Sequence, residues 1–184
     1  MKSRLILYSL LLTLVHCKPT SSIETSQDNT DLATQFINTF YSFDSDSLKS
    51  ILDQAKTSQP GILYYQKWAE CANYKIAKRN DFITKNDSLI ICPITVKDDL
   101  MGALNIDFNV TDSFHITIVN KQIVSVQTSS NDLDVYYEAR DWVKENQPDL
   151  IAVPCIGIWE DGTTPCECVK GMIKGYAAFS NTQK

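Results

Sequence analysis

The chain reads as an α+β protein, and three observations predict it. Amphipathic helical spacing fills the first third after an apolar leader, alternating strand patterns fill the middle, and helical spacing returns at the end. Helices and strands are therefore segregated along the chain rather than interleaved, which points away from a parallel α/β sheet. At 184 residues, 43% hydrophobic and 21% charged, the chain is long enough for one domain with its own core.

The leader comes first. "MKSR" is a basic n-region and "LILYSLLLTLV" an apolar run too short to span a bilayer as a helix. Residues 1–17 are read as a secretory or lipoprotein signal. "LVHC" resembles a lipobox, with Leu14 leading and His16 departing from the usual small residue before Cys17. Cys17 is then the acylated residue; ordinary cleavage after Cys17 is the alternative, and both readings export the protein. Loss of Lys2 and Arg4 leaves 15 basic residues against 22 acidic ones, a charge of −7. Membrane contact is expected only through a lipid anchor, because that balance opposes adhesion to anionic lipids. No basic run or stripe suggests a nucleic acid.

Residues 18–30, "KPTSSIETSQDNT", carry one large apolar side chain and read as a flexible tether. The domain is expected over 31–180, with a C-terminal extension from about residue 147. Asp31 is taken as the N-cap of a helix carrying Leu32, Phe36, Ile37, Phe40 and Phe43. Asp44 or Asp46 caps a second helix with Leu48, Ile51 and Leu52. A third helix presents Ile62, Tyr65, Trp68 and Ala69, with Tyr64 and Cys71 at its edges.

The period changes at Tyr74. "SLIICPITV" is a strand whose Pro93 places it at an edge or a bulge, since proline donates nothing to a ladder. "DDLMGAL" fits one helical turn. "FHITIVNKQIVSVQT" is a hairpin that turns at Asn120-Lys121. "YYEARDWVKENQP" is a helix ended by Pro148. Thr164, Pro165 and Glu167 then form a capping box for the last helix.

"ATQFINTFYSFDSDSLKSIL" resembles the opening helices of the nuclear transport factor 2-like superfamily, in its SnoaL-like branch. "YYQKWAECA" and "FHITIVNKQIVSVQT" follow in the order of that family, over residues 31–146, and "TPCECVKGMIKGY" is similar to the tails of exported bacterial relatives. The resemblance implies N-terminal helices packed in a curved antiparallel sheet that forms a cone-shaped cavity. It also implies either a ligand holder or an isomerase, cyclase or dehydratase that uses a cavity Asp, often with a Tyr or His. Homodimers are common in the family. No family residue is carried over onto this chain.

Five cysteines remain after Cys17. Cys166 and Cys168 diverge on a helix, and the one mature histidine, His115, falls in a strand, so ligand count and spacing oppose a zinc site. No CxxC motif is present. Export favours disulfides. The expected pairs are Cys155–Cys168 and Cys71–Cys92, with Cys166 left over or competing for Cys155.

Candidate pocket residues are Tyr64, Tyr65, Trp68 and His115, aromatic or polar-tipped groups of the kind that line small-molecule sites. His115 and Asp107 are the candidates for acid–base chemistry. Asp98, Asp99, Asp132 and Asp134 are read as turn and cap residues, lacking the alternating oxygen ligands and glycine of a calcium loop. No cofactor or metal is expected. The anticipated partner is a small apolar ligand. The readings carried forward are a ligand- or partner-binding module, an enzyme acting in the cone, and a scaffold whose cone is filled.

Overall fold

The computed structural model describes residues 22–156 and 166–183, with side chains from Gln27 onward. In chain order the elements are α1 (Ser22–Phe40), α2 (Ser45–Ile51), α3 (Gln59–Cys71), β1 (Lys75–Arg79), β2 (Ile83–Thr84) and β3 (Leu89–Lys97). Then follow α4 (Asp99–Ala103), β4 (Val110–Val119), β5 (Gln122–Ser130), α5 (Asp134–Asn146), a 3-10 turn (Pro148–Leu150) and α6 (Cys166–Thr182). The fold is α+β with a five-stranded antiparallel open sheet.

The first helix corrects the expected tether. α1 begins at Ser22, so residues 22–30 belong to it and Asp31 lies inside it rather than at its N-cap. The reason is polar. Asn29 is buried and its Nδ2 donates to the Asp87 carbonyl at 2.9 Å, while Gln27 reaches Asp31 one turn on. Apolar periodicity cannot register a helix end held this way. Further along, Ala33, Phe36, Ile37 and Phe40 are fully buried. The signal with Cys17, and Thr164-Pro165 of the expected capping box, lie outside the described residues.

The strands run in the order β1-β3-β4-β5, and β2 also pairs with β3. β1 is an edge protected by Lys75, Lys78 and Arg79. Pro93 lies opposite the break between β1 and β2, where its missing N–H costs no rung; its carbonyl accepts from the Asn80 backbone N–H at 3.1 Å. The β4–β5 turn has positive φ at Asn120 (50°) and Lys121 (60°), matching the twist of a tight hairpin. Alternation puts Ile90, Cys92, Ile94 and Val96 of β3 on the inner face, with Val110, Asp112, Phe114, Ile116 and Ile118 of β4. An irregularity opposite Thr117/Ile118 resets the phase of β5, so Ile123 and Val126 both turn inward.

Helices α1 and α3 cover that face. Phe114 stacks edge-on against Phe40 (4.8 Å between centroids) and Phe36 (5.6 Å). The buried Gln66 donates to the carbonyls of Thr39 (3.1 Å) and Phe40 (2.9 Å), closing the end of α1 and fixing the rotation of α3. At the other end, α6 packs on α3, α4, α5 and the 3-10 turn. Close approach needs glycine at two points. A Cβ on Gly171 would overlap the Leu150 carbonyl, and one on Gly175 would overlap Val143.

Two disulfides hold this arrangement. Cys155 pairs with Cys168 (Cα–Cα 4.7 Å), and Cys71 pairs with Cys166 (4.8 Å). The expected Cys71–Cys92 pair is therefore corrected, and Cys166 is not left over. Cys92 sits on the inner sheet face between Ile90 and Ile94, buried and free, whereas the end of α3 meets the start of α6. Sequence proximity suggested the wrong partner because α6 returns across 95 residues.

A pocket around a buried aspartate

The inner face of the sheet is not wholly apolar. Asp112 occupies the third position of β4, in phase with Val110 and Phe114, and is 3% exposed. It lines a pocket of about 950 Å³ bounded by α3, the β5 end, α5 and α6. Its backbone is clamped on both sides, opposite Ile94 of β3 and Ser130 of β5, so the carboxyl is rigidly placed. The Tyr65 hydroxyl is its hydrogen-bonding partner, while Oδ2 has no partner among the described residues. An unpaired buried carboxylate oxygen is costly. Burial, then Asp132 and Asp98, push the Asp112 carboxyl from 3.8 up to about 7, and the Tyr65 bond works against them.

Each neighbour is positioned by local structure. Tyr65 follows the α3 turn whose next residue, Gln66, is locked onto the end of α1. Trp68 lies one helical turn on, also lining the pocket. Tyr74 comes just after Asn73, which ends α3 with a positive φ (58°) and donates to Asp99 Oδ1 at 3.1 Å. That link brings the start of α4 beside Tyr74. There Asp98 N-caps α4, its Oδ1 accepting from the amides of Leu100 (2.8 Å) and Met101 (2.9 Å). Burial raises the Asp98 carboxyl, and those two amides oppose the rise. Burial and then Asp112 push the Tyr74 hydroxyl well up. Tyr136, from α5, closes another side; its ring meets Tyr176 edge-on at 5.3 Å. The Cys155–Cys168 disulfide lines the far wall with Met172.

The candidates from the sequence divide. Tyr65 and Trp68 line the pocket. Tyr64, one residue from Tyr65, packs half-buried against the core and is not among the lining residues. His115 faces the opposite side of the sheet, 3.0 Å from Ser129 Oγ. Asp107 is exposed before β4 and lines nothing in this pocket. Trp142 packs against Phe179 (5.9 Å) beneath α5.

Asp112, Asp98, Tyr74 and Tyr136 were missed. The signal for Asp112 was present: extending the Phe114–Ile116–Ile118 phase two residues back places it on the inner face.

Among the described residues, no group of three His, Cys, Asp or Glu side chains could hold a metal ion, and no helix is long and apolar enough to cross a membrane. The disulfides fit an oxidising, extracellular environment. No protein-family model, curated protein or solved structure matches the chain.

Proposed function

We propose that the protein is an exported domain that holds a small, largely apolar ligand in the pocket over Asp112. The observation that carries this reading is the orphan Asp112 Oδ2, buried against a pocket of about 950 Å³ with aromatic walls. Ligand sites combine mostly apolar walls with a few fixed polar groups, and a ligand donor beside the Asp112 carboxyl offsets the polar partner that the protein does not supply. The likeness of residues 31–146 to the SnoaL-like branch supports the same reading, with the sheet and helices as a cone. The leader and the two disulfides support export, with Cys17 as the proposed lipid-bearing residue.

Native mass spectrometry of the mature chain, purified from an exporting host, tests the holder. A non-covalent adduct is expected in the wild-type protein and is expected to diminish in Asp112→Asn. An unliganded spectrum from both proteins removes the tight-holder reading.

One observation favours a second reading, an acid–base enzyme in the same pocket. A carboxyl raised to about 7 beside tyrosine hydroxyls exchanges protons near neutrality. On this reading Asp112, not His115 or Asp107, moves the proton, and Tyr65 positions it. Hydrogen–deuterium exchange at the α-carbon of model ketones, present in wild-type and absent in Asp112→Asn, separates enzyme from holder.

A further inference from the structure

The charge of the ligand is legible from the surroundings of Asp112. Three carboxyl groups, Asp112, Asp98 and Asp132, line one pocket. Asp98 has its Oδ1 committed to two backbone amides, and Asp132 accepts from the hydroxyls of Ser130 and Tyr137. Among the described residues none of the three forms an ion pair. The cations at the pocket rim, Arg140 and Lys144, both pair with Asp141 instead. The fold thus gathers three carboxyl groups in one pocket, and the two lining cations among the described residues are turned to Asp141 rather than to them.

The walls add to this. Tyr65, Trp68, Tyr74 and Tyr136 present rings to the same space, and Tyr65 stands edge-to-face with Tyr74 at 6.4 Å. Aromatic faces attract cations electrostatically, more strongly where water is excluded. A neutral carbonyl ligand would use the rings only as apolar surface and would leave the carboxylates mutually opposed. A carboxylate ligand would add a fourth like charge.

We propose that the pocket takes a protonated primary or secondary amine bearing an aryl or alkyl group. Its ammonium group meets the Asp112 carboxyl where that residue lines the pocket, and its charge lies against the tyrosine and tryptophan faces. This rests on the reading of the pocket as a ligand site, and it narrows that reading to one ligand class.

The test is isothermal titration calorimetry on the mature chain with both disulfides intact, in mildly alkaline buffer. The probes are 2-phenylethylammonium, its neutral counterpart 2-phenylethanol, and the anion 3-phenylpropanoate. The amine is expected to bind about tenfold more tightly than the alcohol, and the anion most weakly. Asp112→Asn is expected to weaken the amine far more than the alcohol and so to remove most of the preference between them, with near-ultraviolet circular dichroism reporting the fold. Asp132→Asn, nearer the rim, provides a second reading, with a preference reduced by about threefold. If the alcohol binds as tightly as the amine, or neither variant changes the preference, the amine assignment is overturned while the pocket stands. If none of the three probes binds the folded protein, the ligand pocket falls with it.

Discussion

Asp112 and His115 lie three residues apart on β4 and therefore face opposite sides of the sheet: the carboxyl is buried beneath α3, and the imidazole meets Ser129 on the outer face. An odd separation along a strand decides which of two titratable residues belongs to the pocket. His115→Gln is expected to leave ligand retention unchanged and to move stability by no more than about 0.5 kcal/mol. Parallel native mass spectra and urea melts of His115→Gln and Asp112→Asn check the asymmetry.

The Asp112 carboxyl is expected to titrate near 7 in carbon-detected NMR, and Tyr65→Phe is expected to raise it further, because the lost hydrogen bond favours the ionised form. The sign of the stability effect follows. Between pH 3.8 and about 7 the unfolded chain has released this proton and the native chain has kept it. Asp112 therefore makes the fold less stable as pH rises through that window, by about 1.4 kcal/mol per pH unit at most. The exposed carboxylates that lysines or hydroxyls hold low, such as Asp53 and Glu167, work in the opposite sense at acid pH. The prediction is accordingly a difference: urea melts across pH lose this falling component in Asp112→Asn.

The free Cys92 thiol is expected to resist alkylation in the native protein. Burial pushes it up to about 12, so thiolate is scarce at neutral pH, and the sulfur lies beneath the helices. Mass spectrometry with iodoacetamide is expected to add nothing to the native protein at Cys92 and one label there after denaturation without reductant.

The helical reading of α5 and of the later part of α1, the Asn120-Lys121 turn and the segregation of helices from strands were all legible, because each rests on local periodicity or turn chemistry. Asp112 was obscured by its neighbours Thr111 and Ser113, which make the start of β4 look like a loop. Asp98 read correctly as a cap, yet no local pattern tells that a cap is buried in a pocket wall. The partner of Cys71 was illegible for a different reason: pairing follows from how α6 docks, and that docking depends on Gly171 and Gly175.

Gly175→Ala is expected to destabilise by about 1–3 kcal/mol, since the added methyl meets the fully buried Val143 between α6 and α5. Gly171→Ala is expected to cost at least as much, because its obstacle is the Leu150 backbone carbonyl rather than a side chain. Chemical denaturation of the two variants against Gly61→Ala, where the added Cβ meets open space, isolates the docking contact.

Removing Cys71–Cys166 as a Cys71→Ser/Cys166→Ser pair is expected to cost more than removing Cys155–Cys168. In the chain-entropy treatment the 95-residue span is worth about 4.7 kcal/mol and the 13-residue span about 3 kcal/mol. Thermal melts of the two double variants rank them.

The long disulfide also changes what a broken backbone means for this molecule. All five strands and helices α4 and α5 lie between Cys71 and Cys166. A protease that cuts once anywhere in that span severs the polypeptide but leaves a single covalent object, its pieces tied through α3 and α6. Outside the cell, where a nicked chain is neither resynthesised in place nor refolded by chaperones, such a molecule keeps its fragments together until a reductant arrives.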